Sequence, residues 1–436
     1  MSDNILKQAK KVYFIGIGGI GISAIAHMLL LEGKTVIGSD RDETKVTEEL
    51  TKAGAVIFIG QKAENVPADC DLIVYTVAVP VDNPEFVKAK ILNIPMLSYP
   101  QTLDFISREK YTIAISGTHG KTTTTAMTAK VLIDLGLDPT VIVGSLLKNS
   151  TDQSTSTNFV LGKSKYLVVE ADEYRKSFHN LHPSILVITN LDEDHLDFYK
   201  DLADIQESFL FLVRQLPKDG FLICDTKLPN LAPLIKEAKC QVIDYQEMTI
   251  GKLLVPGEHN RSDAKAATAV AKALNLDQEK TSKALSEFTG TWRRFEYKGK
   301  TASGALVYDD YAHNPQKVKA AIQGARELYP DKRLVIVFQP HLFSRTKLLI
   351  NEFATSFNQA DEVILTPIFP AREVFDPTIN SEMLAEKIKP NCPKVSVFSD
   401  FKSIEEYLKK TLDSNDVLIT MGAGEQYKIG EALLNS

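Results

Sequence analysis

The chain has few of the residues that build disulfide frameworks or thiolate metal sites. Its four cysteines, Cys70, Cys224, Cys240 and Cys392, are scattered without C-x-x-C spacing, which favours buried thiols in a reducing compartment over disulfides or a zinc site. The longest apolar runs, such as the one near Met28, are far too short to span a bilayer, and the first residues lack the long apolar core of a secretory signal. We therefore expect a cytoplasmic protein without a membrane partner.

The sequence also lacks a basic block. Its net charge is −6 at neutral pH, which argues against nucleic acid as a partner, because binding to phosphate backbones needs clustered lysine and arginine. Charged residues make up 24% of the 436 positions and hydrophobic residues 44%, an ordinary globular composition. A chain of this length has room for two or three domains.

The most informative stretch is a predicted phosphate-binding loop. Residues Tyr111–Ser116 form an apolar, β-branched run typical of a buried strand, and a predicted helix ends near Gly136. The residues between the strand and the body of the helix are Gly117, Thr118, His119, Gly120, Lys121, Thr122 and Thr123. Two glycines allow successive N–H groups to point at one anion, the lysine supplies charge to the terminal phosphates, and a threonine hydroxyl can bind Mg²⁺. The alternative is a plain structural turn, but four consecutive threonines are costly at a helix start, which favours a functional reason.

A second glycine loop lies near the N-terminus. It follows a predicted strand at Lys11–Ile15 and consists of Gly16, Gly18, Gly19, Ile20 and Gly21 with their neighbours. The next predicted strand, Thr35–Gly38, ends on Ser39 and Asp40, the position at which a dinucleotide fold carries its acidic residue. The pattern fits NAD imperfectly, and any pyrophosphate suits the same helix N-terminus. We therefore favour a nucleotide-diphosphate ligand over nicotinamide.

Two acidic clusters follow predicted strands in the middle of the chain. Glu170 comes directly after the strand Lys165–Val169, and His195 follows the strand Ser184–Thr189 within a run of carboxylates. Ligands bind at the carboxyl ends of strands in open α/β sheets, and carboxylates beside a phosphate loop suit Mg²⁺. Solvated loop charge is the alternative, which we favour for Asp192 and Glu193. Zinc is disfavoured, because no second histidine or thiolate lies at ligand spacing.

Two features farther along the chain leave alternatives open. Asn260 precedes an alanine-rich helix and could either cap that helix or bind an adenine edge. Arg293 and Arg294 lie at a change in composition, where one of them could act on a γ-phosphate as an arginine finger does. Surface salt bridging is the alternative for at least one of the pair.

The last third of the sequence predicts another α/β unit, with polar residues at the strand ends. Its predicted strands are Ala305–Tyr308, Arg333–Phe338, Glu362–Pro367 and Asp416–Met421. The strand ends carry Asp310, His313, His341, Arg345 and Arg372. A single such histidine is usually structural, but several on one edge of a sheet predict a site.

Together these segments resemble the Mur ligase family. The motifs that carry the resemblance are FIGIGGIGIS, SGTHGKTTTTAM, VVEADEYRKSF, TNLDEDHLDFY, GEHN, RRFE, DDYAHNP, FQPHLFSRT and MGAGEQYKIGEALL, spread over the whole chain in the family's order. The resemblance implies an α/β protein of three domains: a Rossmann-like UDP-sugar domain (1–107), a central P-loop ATPase-type domain with a mostly parallel sheet (108–293) and a Rossmann-like amino-acid domain (294–436). It implies joining of L-alanine to UDP-N-acetylmuramate with ATP as co-substrate and Mg²⁺ as cofactor, by a monomer or homodimer.

The resemblance also implies roles for single residues. Lys121 and Thr122 would hold the ATP phosphates and Mg²⁺, and Glu170 and His195 would be metal ligands. The other implied contacts are Asn260 to adenine, Asp310 to the ATP ribose, Arg294 to the γ-phosphate, and His341 and Arg345, with His313, to the alanine. The first glycine loop with Ser39 and Asp40 would hold the UDP diphosphate. Lys121, Glu170, His195 and Arg294 are then the expected catalytic residues.

The sequence departs from the family pattern at three positions. Arg175 stands where relatives usually carry Asp, Asp263 where a second Asn is common, and Asn314 where a second His is common. The segment SFLFL has no lysine of the kind that some family members carbamylate, which agrees with the alanine-adding branch. The rival interpretations are a ligase for preformed tripeptide, a ligase for glycine or serine, an NAD-dependent dehydrogenase, and a non-catalytic nucleotide-binding module.

Overall fold

The computed structural model describes residues 5–148, 156–193, 195, 198–371 and 373–435. The chain forms two compact units, Met1–Gly251 with Ser262–Ser286 and Lys252–Arg261 with Glu287–Ser436. Within the described ranges, no helix is long and apolar enough to cross a membrane.

The first unit begins with a five-stranded, fully parallel sheet in the order β3-β2-β1-β4-β5. Its strands are β1 (Lys11–Ile15), β2 (Thr35–Asp40), β3 (Val56–Ile59), β4 (Leu72–Tyr75) and β5 (Met96–Ser98). The helices of this part are α1 (Ile5–Gln8), α2 (Ile20–Leu31), α3 (Lys45–Lys52), α4 (Pro84–Ile91) and α5 (Tyr99–Arg108). Capping boxes at Thr44 and Ser98 start α3 and α5 by satisfying N–H groups that have no partner inside the helix.

The first unit continues with a seven-stranded sheet in the order β12-β11-β10-β6-β9-β7-β8. Its strands are β6 (Tyr111–Ser116), β7 (Thr140–Lys148), β8 (Ser156–Val160), β9 (Tyr166–Glu170), β10 (Pro183–Ile188), β11 (Phe221–Cys224) and β12 (Gln241–Asp244). All neighbours are parallel except β7 and β8, which form an antiparallel pair. The helices are α6 (Lys121–Asp134), α7 (Leu202–Arg214), α8 (Ala232–Glu237), α9 (Glu258–Ala273) and α10 (Gln278–Ser286), of which α9 contains residues of both units.

The second unit contains a six-stranded sheet in the order β13-β14-β18-β15-β16-β17. Its strands are β13 (Glu296–Lys300), β14 (Leu306–Asp310), β15 (Arg333–Phe338), β16 (Glu362–Leu365), β17 (Lys394–Val397) and β18 (Asp416–Met421). Only β13 runs antiparallel to its neighbour. The helices are α11 (Pro315–Leu328), α12 (Phe343–Leu348), α13 (Ile350–Ser356), α14 (Ser381–Ile388), α15 (Phe401–Thr411) and α16 (Tyr427–Leu434).

The central strands of the sheets are buried on both faces. Every residue of β18 is buried, as is every residue of β6 after Tyr111, which explains why these strands appear in the sequence as unbroken apolar runs. The carboxyl ends of β6, β9 and β10 lie side by side, because β10, β6 and β9 are parallel neighbours. The loops that follow these three strands therefore meet at one edge of the sheet.

Candidate active site

The phosphate-binding loop has the strand–loop–helix geometry that the sequence predicts. It connects β6 to α6, and its two glycines adopt left-handed backbone angles, with φ of 126° at Gly117 and 83° at Gly120. A Cβ atom at Gly117 would collide with Thr189 Oγ1, and one at Gly120 would collide with Asp263 Oδ1. Only glycine fits either position without strain, and a glycine loop that leads into a helix N-terminus is the kind of structure that can bind an anion.

The loop after β10 fixes the shape of the phosphate-binding loop. Asn190 accepts a hydrogen bond from the His119 amide (2.9 Å) and donates one to the His119 carbonyl (3.1 Å). The Thr118 hydroxyl accepts from the Asp192 amide at 2.8 Å. The sequence does not single out Asn190 and predicts only solvated loop charge for Asp192, because pairing across two loops leaves no local signal.

Lys121 lies against a buried carboxylate. Its ammonium group donates to Glu173 Oε1 (2.8 Å) and to the Gly117 carbonyl (2.6 Å), and the two side chains are only 14% and 4% exposed. Burial raises the pKa of Glu173, and the charge of Lys121 opposes that rise. His195 Nε2 lies 3.6 Å from the same Oε1 atom. Glu173 therefore links the lysine of the phosphate loop to the histidine of the second acidic cluster.

The carboxylates form two adjoining groups. Thr122 Oγ1 donates to Glu170 Oε1 (2.9 Å), and the Gly144 amide donates to Glu170 Oε2 (2.7 Å). In the second group, Asp172, Glu173 and His195 each offer one possible metal-ligand atom within 4.8 Å of the others. The predicted ligands Thr122 and Glu170 thus lie together, whereas His195 lies with two carboxylates that the sequence did not single out.

The N-terminal glycine loop is held by the end of β2. The Gly18 amide donates to Asp40 Oδ2 (2.7 Å), and the amides of Gly16 and Ile17 donate to the Ser39 carbonyl, each at 2.9 Å. Gly19 is the residue before α2, and Ile20 is the first residue of that helix. A Cβ at Gly21 would lie 2.7 Å from the Tyr99 ring. The Asp40 carboxylate therefore stabilises the loop by accepting a hydrogen bond from the loop backbone. This contact needs no NAD.

Ser39 is placed differently from the other predicted residues of this loop. Its side chain is fully buried and donates to Glu85 Oε2 at 2.5 Å. Glu85 is itself buried and accepts from Asn65 Nδ2 (2.8 Å). The contribution of Ser39 to the loop is thus made by its backbone carbonyl.

In the second unit, the two neighbouring arginines have different surroundings. Arg293 is buried and donates to Asp309 Oδ2 (2.8 Å), the Gly424 carbonyl (3.0 Å) and the Gly422 carbonyl (2.7 Å). Burial raises the pKa of Asp309 to about 6 despite the neighbouring guanidinium. The guanidinium groups of both arginines lie over the Tyr311 ring, at 5.1 Å from its centroid for Arg293 and 5.5 Å for Arg294. Arg293 is therefore the structural member of the pair.

Asp310 and Asn260 make backbone contacts. The Asp310 carboxylate accepts from the amides of Phe295 and Ala312, each at 2.7 Å, and burial raises its pKa while Arg294 opposes the rise. Asn260 lies in the first turn of α9, and its amide donates to the Pro256 carbonyl at 2.5 Å. Asn260 therefore lies inside α9, which begins at Glu258, and not ahead of the helix as the sequence predicts, so it is not the residue that caps this helix.

The structure brings the three predicted amino-acid-binding residues together. His341 Nδ1 and Arg345 Nη1 are 2.9 Å apart, and the rings of His313 and His341 are centred 5.8 Å apart. His341 also stacks on Phe369. Burial, together with the smaller effect of the Lys317 charge, lowers the pKa of His313 to about 3, so this imidazole is neutral at physiological pH. Arg372, expected on the same edge, lies outside the described residues.

Comparison with known proteins identifies the family. The Mur ligase family catalytic domain matches residues 11–111, the Mur ligase middle domain residues 115–253, and the Mur ligase glutamate ligase domain residues 293–424. The curated UDP-N-acetylmuramate–L-alanine ligase of Clostridium kluyveri is 41% identical, with 100% of both chains aligned, and that of Clostridium novyi is 42% identical with the same coverage. The chain belongs to the Mur ligase family.

Solved structures of Mur ligases have the same fold. The crystal structure of the UDP-N-acetylmuramate–alanine ligase MurC from Thermotoga maritima aligns with a TM-score of 0.82 and 30% identity, over 98% of each chain. A murein peptide ligase from Psychrobacter arcticus aligns with a TM-score of 0.67 and 24% identity, again over 98% of each chain, which shows a shared fold alone. These likenesses confirm the predicted three-domain, mostly parallel α/β architecture.

Of the three departures from the Mur ligase pattern, Asp263 and Asn314 make local hydrogen bonds, and Arg175 has an unusual backbone conformation. Arg175 has a left-handed backbone, with φ of 52°. Asp263 accepts a hydrogen bond from Thr124 Oγ1 at 2.9 Å and packs against Gly120. Asn314 caps α11 by accepting from the Lys317 amide (2.9 Å). In this Mur ligase, Asp263 and Asn314 therefore support the loop and helix that carry neighbouring site residues.

Proposed function

We propose that this Mur ligase joins L-alanine to the lactyl carboxylate of UDP-N-acetylmuramate, with conversion of ATP to ADP and phosphate, in the synthesis of peptidoglycan precursors. The observation that carries the proposal is the full-length identity of 41% to curated ligases of that name. The phosphate-binding loop and its buried lysine–carboxylate pair supply the chemistry that such a ligase needs.

The proposed reaction divides a difficult condensation into two steps. A carboxylate is a poor electrophile, so its oxygen first attacks the γ-phosphorus of ATP, forming an acyl phosphate and releasing ADP. The amine of L-alanine then attacks the acyl carbon, the amide bond forms, and inorganic phosphate leaves. The first step concentrates negative charge on the transferred phosphoryl group, and fixed positive charge is the main means of stabilising it.

We assign the ATP phosphates to Gly117, Thr118, His119, Gly120, Lys121, Thr122 and Thr123. Lys121 is already held at the mouth of the loop by Glu173 and the Gly117 carbonyl, so its charge is placed before ATP arrives. We further assign Asn260 to adenine, Asp310 to the ribose and Arg294 to the γ-phosphate. Arg294 is a better candidate for the γ-phosphate contact than Arg293, because the Arg293 guanidinium is already bound by Asp309 and two backbone carbonyls.

A divalent cation, which we propose is Mg²⁺, fits the acidic groups beside the loop. Within the described part of the chain, Glu173 Oε2 is buried without a hydrogen-bond partner, and the surrounding donors are mostly oxygen atoms, which Mg²⁺ prefers. Thr122, Glu170 and His195 would hold the ion, with Asp172 and Glu173 as neighbours. Such a cation supplies charge neutralisation for phosphoryl transfer.

The remaining assignments follow the three sheets. We assign residues 1–107 to the UDP-sugar, with the diphosphate at Gly16, Gly18, Gly19, Ile20 and Gly21 near Ser39 and Asp40. Residues 108–293 would carry the ATP site, and residues 294–436 the amino-acid site with His313, His341 and Arg345. We propose that the enzyme acts in the cytoplasm as a monomer or homodimer.

The deciding experiment measures phosphate release from ATP and Mg²⁺ with UDP-N-acetylmuramate and a panel of single amino acids, glycine and L-serine included, together with the tripeptide. We expect release that requires UDP-N-acetylmuramate and is fastest with L-alanine. Faster release with the tripeptide or another amino acid would contradict the assigned acceptor. Release that does not need the UDP-sugar would contradict the ligase reaction itself.

A further inference from the structure

Tyr199 connects the two loops that carry the acidic groups of the site. Its hydroxyl donates to the Glu173 carbonyl at 2.5 Å, in the loop that follows β9. Its amide donates to the His195 carbonyl at 2.9 Å, in the loop that follows β10. Tyr199 is buried, with 1% of its surface exposed, and it bonds to the main chains of both Glu173 and His195. The side chains of these two residues also contact each other, through Glu173 Oε1 and His195 Nε2.

The tyrosine hydroxyl is held in turn by helix α7. Ser208 Oγ lies 3.2 Å from the Tyr199 hydroxyl, and His179 Nε2 lies 3.0 Å from Ser208 Oγ and 2.9 Å from the Ser208 carbonyl. Burial raises the pKa of Tyr199 to about 12, so the hydroxyl keeps its proton and donates throughout the physiological range. The contact to Glu173 is therefore part of a fixed network that reaches into the core.

The segments on either side of this contact are strained. Arg175 and Lys176, with φ of 52° and 57°, and His195, with φ of 53°, are non-glycine residues in the left-handed region. Such conformations cost about 1 kcal/mol or more each, so they persist only where surrounding contacts enforce them. The Lys176 amide and the Tyr199 hydroxyl both donate to the Glu173 carbonyl. The tyrosine is thus one of the contacts that hold the strained turn after Glu173 in place.

We propose that Tyr199 is a positioning residue, which fixes the Glu173 main chain so that the Glu173 carboxylate holds Lys121 and His195 in the geometry that binds a metal–nucleotide complex. The inference rests on the proposed function, because it assumes that the loop binds the phosphates of ATP or ADP. It assigns no chemical step to the tyrosine. Its effect passes through the carboxylate that lies 2.8 Å from Lys121 Nζ.

The test compares Tyr199→Phe with Tyr308→Phe. Each change removes one buried hydroxyl and keeps the ring, and the Tyr308 hydroxyl bonds only to Tyr329 Oη, at 2.5 Å, among the hydrogen bonds described for it. We expect Tyr199→Phe to weaken binding of Mg·ADP by about tenfold, the size of effect that loss of one buried hydrogen bond produces, with UDP-N-acetylmuramate binding changed less than twofold. Tyr308→Phe should lower the melting temperature without changing Mg·ADP binding.

The outcomes separate this inference from the proposed function. Failure of the wild-type protein to bind Mg·ADP in calorimetric titration would contradict the nucleotide site itself. Binding by wild type and equal binding by Tyr199→Phe would overturn the positioning role alone. If Tyr199→Phe does not fold, hydrogen exchange of the wild-type backbone amides tests the proposal instead. The Lys176 and Tyr199 amides should then show similar protection, because one residue holds both loops. Protection factors that differ by more than about tenfold would overturn the proposal.

Discussion

At the scale of single residues, the proposed ATP site depends on charge that is placed before the substrates arrive. Lys121 and Glu173 form a buried ion pair, and such a pair costs desolvation free energy that only good geometry and further hydrogen bonds offset. The Gly117 carbonyl and Thr118 carbonyl provide those further bonds to Lys121. A lysine held in this way loses little side-chain freedom when phosphates bind, which favours both affinity and catalysis.

The first prediction concerns Lys121. Lys121→Ala should abolish phosphate release, because the proposed ATP site loses a fixed cation beside the phosphates. It should also lower stability by several kcal/mol, since removal of one partner leaves the other buried charge uncompensated. UDP-N-acetylmuramate binding, measured by titration calorimetry on the folded variant, should remain within about twofold to threefold of wild type. Equal loss of nucleotide turnover and UDP-sugar binding would contradict separate sites.

The second prediction concerns the pH dependence of stability through His313. The folded protein keeps this imidazole neutral down to a pKa of about 3, whereas the unfolded chain takes up the proton near the ordinary value of about 6.5. Protonation therefore favours the unfolded state, and stability should fall as pH drops from about 6.5 toward 3, by up to about 1.4 kcal/mol per pH unit from this group.

Urea unfolding of wild type and His313→Gln between pH 7 and pH 4.5 measures that contribution. The difference in free energy of unfolding between the two proteins should shrink as pH falls, because only wild type carries this titration. His259 also has a pKa lowered by burial and is present in both proteins, so it cancels in the difference. Parallel profiles for the two proteins would contradict a neutral, buried His313.

At the scale of elements, the first turn of α6 belongs to the proposed phosphate site. The helix begins at Lys121, directly after a glycine with φ of 83°, and the threonines from Thr122 to Thr125 are all buried. Threonine has poor helix propensity, but here these side chains are buried and form hydrogen bonds within the protein. Thr124 donates to Asp263, and Thr125 donates to the Lys121 carbonyl. The residues that weaken the isolated helix thus tie it to its surroundings.

The third prediction compares the glycines at the two ends of α6. Gly120 and Gly136 have nearly equal φ, 83° and 79°, but a Cβ at Gly120 would meet Asp263 whereas one at Gly136 would meet nothing within 4 Å. Gly136→Ala should therefore cost only the backbone strain, about 1 kcal/mol, and leave Mg·ADP binding unchanged. Gly120→Ala should cost more and should reduce Mg·ADP affinity by at least about tenfold, because the loop must open to relieve the clash.

Urea unfolding and calorimetric titration of both variants measure these effects. The comparison separates the effect of steric crowding from that of backbone strain, since both variants place alanine at nearly the same positive φ. Equal effects of the two substitutions on nucleotide binding would contradict the tight packing of the phosphate loop against Asp263.

At the scale of the whole molecule, the fold consists of mostly parallel sheets whose strand ends carry the predicted site residues. In the first unit, the loops after β6, β9 and β10 meet at one edge. In the second unit, His313, His341 and Arg345 converge after β14 and β15. Parallel order places these loops on one side of each sheet, where open α/β proteins bind ligands.

The fourth prediction concerns the cysteines of the whole chain. All four are free, and three of them, Cys70, Cys224 and Cys392, are buried. Burial raises the pKa of each of the four thiols, that of Cys224 to about 12, and the thiolate is the reactive form. Ellman titration of the native protein at pH 7.5 should therefore show at most one slowly reacting thiol, the half-buried Cys240. The guanidinium-unfolded protein should show four, and fewer in the unfolded state would reveal a disulfide.

Several strands of this architecture could be predicted from short stretches of the sequence. The strands β1, β6, β15 and β18 have the predicted bounds, because buried parallel strands give unbroken apolar runs between glycine or polar residues. The antiparallel pair of β7 and β8 was not predicted, since its pairing joins segments that lack a hairpin turn signal. Grouping of the amino-acid-binding candidates could be predicted, because parallel strands end at one edge.

The sequence by itself determined the family, the α/β class and the position of the phosphate loop, because these depend on glycines, buried runs and a motif order that are local along the chain. Only the tertiary structure decided that Glu173 holds Lys121, that Arg293 is bound by Asp309, and that Tyr199 bonds both acidic loops. In each case several similar residues stand close together in the sequence. Which of them becomes buried and paired depends on strands that meet only in the folded sheet. A buried charge or hydroxyl must then have a partner, because burying it without one costs free energy.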